Sequence, residues 1–92
     1  MKVKTFLTSD NWTQRALARD NCGNAVSIFN EEACKFCLLG AISRIYPPHQ
    51  LEDIGMRLRD VIRLKTNYTS ISLFNDNSEF SEIKRILNIA DI

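Results

Sequence analysis

Two cysteines three residues apart, Cys34 and Cys37, sit in the run EEACKFCLLGAIS from Glu31 to Ser43. Three uses compete for them: thiol–disulfide exchange, metal ligation, or packing as small apolar side chains. Redox use needs a thiolate stabilised by a helix N-terminus or a neighbouring cation. Glu31 and Glu32 oppose that, no Gly-Pro separates the cysteines, and a disulfide within one regular helical turn is poor because the Cβ vectors diverge. Metal ligation has a better donor set, since Cys22, Cys34, Cys37 and His49 would make a Cys₃His site of the kind that holds structural zinc. Their spacing, C-x11-C-x2-C-x11-H, lacks the paired knuckles that make zinc motifs specific. Packing is the preferred reading, because a buried free thiol commonly serves as a small hydrophobe.

Other reactive side chains point the same way. His49 follows Pro47-Pro48 in an expected surface turn, and a Cys37–His49 nucleophile pair would require Cys37 to be exposed. The three glycines are isolated, so no phosphate-cradling loop is present. Glu31-Glu32 and Glu52-Asp53 read as capping and solvated-face residues rather than as an acid and base held in a cleft. Arg57, Arg59, Arg63 and Lys65 form the basic cluster; Asp53 and Asp60 are spaced to pair with Arg57 and Arg63, which makes it a solvated face rather than a polyanion site. No catalytic residue, metal ligand or cofactor is assigned.

The elements that must position these groups belong to one domain, residues 1–92. Hydrophobic residues are 45% and charged residues 25% of the chain, the balance of a folding globular sequence. A net charge of +1 supplies no general field for nucleic acid or an anionic membrane. No apolar run approaches the roughly 18 residues of a membrane span, and MKVKTFLTSDNW carries too short an apolar segment for a signal peptide. A cytoplasmic location is expected, with reduced cysteines. Asn11-Trp12-Thr13 and Asn67-Tyr68-Thr69 then carry no weight as glycosylation sequons.

Val3, Phe6 and Leu7 predict a short first helix that ends in the turn formers Ser9-Asp10-Asn11. DNCGN at Asp20 to Asn24, with Gly23 free to take positive φ, predicts a small β-hairpin of about residues 15–19 and 25–28; a helical turn through Trp12 to Ala18 fits as well. Asn30 as N-cap, with Glu31 and Glu32 in the first turn, predicts a helix to about Tyr46, stopped by Pro47-Pro48. Leu51, Ile54, Leu58, Val61 and Ile62 form one stripe of a surface helix beginning near His49 or Gln50. Residues 66–75 read as a connection with a buried piece at Ile71, Leu73 and Phe74. Asp76 with Glu79 has capping-box spacing, with Ser78 as a rival cap, before a last helix marked by Phe80, Ile83, Leu87 and Ala90.

The fold class expected is mainly α (α+β), with about four helices around a central buried helix 31–46 and a small hairpin near 15–28. That central helix is apolar on nearly every side, and Ala33, Cys37, Gly40 and Ala41 line one side with small groups. Gly40 inside a helix costs about 1 kcal/mol against alanine, and close approach of another segment is a physical reason to tolerate that.

Three stretches, WTQRALARDNCG, EEACKFCLLGAI and SLFND before the last helix, together resemble a family of short, uncharacterised bacterial and phage-borne proteins classed only as a domain of unknown function. The resemblance spans about residues 12 to 90 and implies that Trp12, Cys37, Gly40, Ala41, Asn75 and Asp76 match characteristic positions. Phe74, where tryptophan is usual, and the additional Cys34 depart from the pattern. The family has no established activity to carry across.

On their own chemistry, Trp12 reads as a core anchor and Asn75-Asp76 as a turn and cap. Their functional reading is a polar niche in which the Asn75 amide and Asp76 carboxylate face the Cys37 thiol, giving Trp12, Cys37, Asn75 and Asp76 as binding candidates. The function expected is a non-enzymatic protein-binding or regulatory module, such as an accessory or mobile-element protein of the phage inhibitor or adaptor type. Its partner would be another protein or a second copy of the chain, not nucleic acid or membrane. A small thiol-dependent enzyme on Cys37, Asn75 and Asp76, or a Cys/His zinc domain, is the alternative.

Overall fold

A computed structural model describes all 92 residues and gives the expected α+β fold, five helices with one two-stranded antiparallel sheet. The first helix, α1 (Val3–Phe6), buries Val3, and Leu7 just beyond it is also buried. Asn11 closes the turn that follows by accepting from Thr8 N at 2.7 Å and donating to the Phe6 carbonyl at 2.9 Å.

The expected helix over 31–46 is corrected at its N-terminal half: α2 spans Leu38–Ile45 only. Residues ahead of it are drawn into sheet pairing, which gives their backbone groups a tertiary partner in place of a helical one. Strand β1 (Ala18–Arg19) pairs with β2 (Lys35–Phe36), Ala18 opposite Phe36 and Arg19 opposite Lys35. On the other edge of β2, Phe36 N donates to the Asn11 carbonyl at 2.8 Å, and the Phe36 carbonyl accepts from Thr13 N at 3.0 Å. Asn30 makes a local turn, its side chain accepting from Glu32 N at 2.7 Å, rather than capping a helix.

The turn near 15–28 forms as predicted at Asp20–Asn24. The Asp20 carboxylate accepts from Cys22 N and Asn24 N, both at 2.9 Å, and Gly23 takes φ +86°. Its returning limb is a single bridge, Arg19 to Ala25. The ladder partner of β1 is instead β2, because Phe36 has a buried place to fill opposite Ala18.

Pro47 and Pro48 do stop α2, and a single 3₁₀ turn (Pro48–Gln50) leads into α3 (Leu51–Lys65), which buries Leu58 and Ile62. The region read as a connection contains a further helix, α4 (Ile71–Asn77), whose N-cap Ser70 accepts from Leu73 N at 3.0 Å. Phe74 is buried on it, whereas Leu73, expected inside, is exposed. The last helix, α5 (Phe80–Ala90), buries Ile83, Ile86, Leu87 and Ala90. Its N-cap is Glu79 with no side-chain cap bond, so the expected capping box with Asp76 does not form.

α2 remains central even at half its expected length. It packs against α1, α3 and α4, and Leu38, Ala41 and Ile42 are buried in the core. No helix is long and apolar enough to cross a membrane. Asp53 and Asp60 make no ion pair with Arg57 or Arg63; the three ion pairs are Lys2–Asp91, Lys4–Asp91 and Glu82–Arg85.

Candidate functional site

Asn75 lies on α4 and is buried to 1% exposure. Its Oδ1 accepts from the Trp12 indole at 2.8 Å and from Leu38 N at 3.0 Å, and its Nδ2 donates to the Thr13 carbonyl at 3.1 Å and to Asp76 Oδ1 at 3.0 Å. One amide thereby uses all four of its hydrogen-bonding positions. It fastens the loop after Trp12, the start of α2 and α4 to one another, and it satisfies a first-turn N–H of α2 that has no partner within the helix.

The loop is secured from both sides. Asp76 Oδ1 accepts from Arg15 N at 2.9 Å, which holds Arg15 at φ +64°, a left-handed conformation uncommon for a residue with a side chain. Gln14 Nε2 donates to the carbonyls of Asn75 and Ser78, both at 3.0 Å. The Arg19 guanidinium donates to Thr13 Oγ1, the Gly23 carbonyl and the Gln14 carbonyl. The close approach anticipated at Gly40 is the next residue pair of this loop: a Cβ there would stand 1.9 Å from the Leu17 carbonyl oxygen.

Cys37 is the N-cap of α2, where its sulfur accepts from Gly40 N at 3.3 Å. Burial pushes the thiol pKa up, and the Asp76 carboxylate adds to the rise, against the lowering by the Gly40 and Leu39 N–H groups. The proton therefore stays on sulfur at neutral pH.

Between the loop, the first turn of α2 and α4 lies a cleft of about 350 Å³, lined among others by Arg15, Leu17, Cys37, Leu39, Ile71 and Asp76. Cys37, Asn75 and Asp76 share its wall. Trp12 does not line it; it stands behind Asn75 and packs on Phe80, with ring centroids 5.6 Å apart and planes tilted by 50°. Cys37, Asn75 and Asp76 thus line one cleft and Trp12 lies outside it. The Asn75 and Asp76 side chains bond the loop backbone, and neither bonds the thiol. Arg15, Leu17 and Ile71 were missed as lining residues. The pairing of β2, the left-handed turn at Arg15 and the bonds from Asn75, Asp76 and Gln14 bring the loop over α4, and none of these is written in a local periodicity.

The four candidate metal donors are dispersed. Cys22 and Cys34 are exposed, Cys37 is buried, His49 is exposed in the 3₁₀ turn, and no three His, Cys, Asp or Glu side chains converge anywhere in the fold.

Neither the curated proteins nor the solved structures include a match to the chain. The model of a family of unknown function, DUF6197, matches residues 2–90, a span that takes in the loop, α2 and α4, and the chain belongs to that family.

Proposed function

We propose that the chain is a non-enzymatic binding module that recognises another protein through the cleft between the loop at 15–17, α2 and α4. The observation that carries this reading is how the polar groups of the cleft are committed. Asn75 and Asp76 hold backbone, and the Cys37 sulfur accepts an N–H while burial keeps its proton in place. The wall offers no base poised to activate a nucleophile. Among the side chains it leaves to solvent, Leu17 is 55% exposed, with Leu39 and Ile71 half-buried beside it, and the exposed Arg15 and Ser72 also line it. Apolar side chains held open on a rigid frame favour coverage by a partner.

A regulatory role, as an accessory protein of a phage or other mobile element that inhibits or adapts one target, is the form suggested by the resemblance of WTQRALARDNCG, EEACKFCLLGAI and SLFND to phage-borne proteins. We assign it to the cytoplasm, where exposed thiols such as Cys22 and Cys34 persist unpaired.

The test compares wild-type protein with the double variant Leu17→Ser, Leu39→Ser as baits in a native lysate, with bound proteins identified by mass spectrometry. At least one protein should be enriched on the wild type and lost from the folded variant; identical bound sets would refute the role. Sedimentation of both proteins tests a second copy as the occupant, which would show as a dimer that the variant abolishes.

A further inference from the structure

The cleft is one end of a longer surface. Three depressions of about 350, 310 and 320 Å³ share Leu39 and Ile71 in their walls, so they form one continuous face across α2, α3 and α4. Leu17 lines the first and Met56, 46% exposed, lines the last. The middle depression carries Arg59 and Arg63, one turn apart on α3, and no carboxylate lines it. Neither arginine is in an ion pair. The acids on the rest of the face are Glu52 and Asp76, and Asp76 already accepts two N–H groups.

We propose that the occupant of this face is an acidic, apolar segment of the partner protein, its apolar side chains on the strip from Leu17 to Met56 and its carboxylates on Arg59 and Arg63. This rests on the binding role proposed above and adds the chemistry of what is bound. Guanidinium groups take carboxylates in paired hydrogen bonds. Exposed ion pairs contribute little affinity, so the apolar strip supplies the attraction and the arginines choose the sign of the segment. A basic segment would meet unpaired arginines along the middle of the face and be rejected.

The test is selection of a random dodecapeptide display library on the wild-type chain, counter-selected on Leu17→Ser, Leu39→Ser. Enriched peptides should combine Asp or Glu with Leu, Ile or Phe. The binding of one such peptide should weaken about tenfold in Arg59→Glu, Arg63→Glu, a loss of about 1.4 kcal/mol, with circular dichroism unchanged because both positions are exposed. Enriched peptides without acidic bias, or indifferent to the charge reversal, would overturn this inference while leaving the binding role standing. Failure to enrich any peptide over the serine variant would overturn the peptide-binding inference, with the lysate comparison then deciding the role itself. Binding of inorganic phosphate at concentrations where the acidic peptide does not bind would mark an oxyanion site and overturn it too.

Discussion

The indole N–H of Trp12 donates a 2.8 Å hydrogen bond to Asn75 Oδ1 across 63 residues of chain. That bond explains why a polar amide sits in the core. Replacing Asn75 with Ala leaves the Trp12 and Leu38 N–H groups and the Thr13 carbonyl without their partner, and each such loss costs about 1–3 kcal/mol when buried. Because these costs do not add fully, a net destabilisation of about 3 kcal/mol is expected. Urea unfolding followed by Trp12 fluorescence measures it. A cycle of Trp12→Phe with Asn75→Ala, followed by far-UV circular dichroism because Trp12 is the single tryptophan, should show a coupling of at least about 0.5 kcal/mol; additive effects would show that the bond contributes nothing.

Two helical glycines should respond with opposite signs to the same substitution. Gly40→Ala puts a methyl 1.9 Å from a backbone oxygen that is fixed by the loop, and an expected loss of about 2 kcal/mol exceeds the gain in helix propensity. Gly55→Ala, with nothing within 4 Å of the new Cβ, should stabilise α3 by about 0.5–1 kcal/mol. Thermal denaturation of the two variants decides the matter, and a stabilised Gly40→Ala protein would contradict the geometry.

The contrast between those glycines also shows how far the sequence can be read. Gly40 was legible because a helix-breaking residue on a small-residue face implies a close neighbour, although not that the neighbour is the Leu17 carbonyl. The stripes of α3 and α5 were legible because burial on one face repeats with the helical period. Residues 31–37 were not, because Ala33, Phe36 and Cys37 satisfy a helical wheel, and only the pairing of Lys35–Phe36 with Ala18–Arg19 decides against it. The site shared this limit. Cys37, Asn75 and Asp76 were identifiable as polar or reactive groups in suggestive positions, but the loop that covers them depends on a positive φ at Arg15.

The three cysteines should separate in their reaction with iodoacetamide. Cys22 and Cys34 are exposed and should be modified together under native conditions, while Cys37 is buried and its thiol is held above its ordinary pKa. Mass spectrometry over time at neutral pH should show two additions, then a third at the rate of structural opening, accelerated by urea. Rapid modification of Cys37 with a neutral apparent pKa would instead support the thiol-dependent alternative. Cys37→Ser, which keeps a capping oxygen at the start of α2, should stay closer to wild-type stability than Cys37→Ala, which loses about 1 kcal/mol of cap.

The two chain ends meet at Asp91, and this contact should make stability depend on pH in the acid range. Asp91 stands at the C-cap of α5 with φ +57°, and Lys2 and Lys4 of the first helix region donate to its carboxylate, which lowers its pKa from 3.8 to about 2. A carboxyl whose folded pKa is depressed stabilises the fold above its unfolded value and loses that contribution as pH falls through the folded one. The contribution is therefore complete above about pH 4 and gone near pH 2. Because the carboxylate is exposed, it should also fade in high salt. The melting temperatures of wild type and Asp91→Asn, measured between pH 2 and 6, should differ most at the upper end and converge at the lower. The same melting temperature for both proteins at every pH would mean that the left-handed cap, which asparagine also tolerates, and not the lysine pair, is what Asp91 supplies.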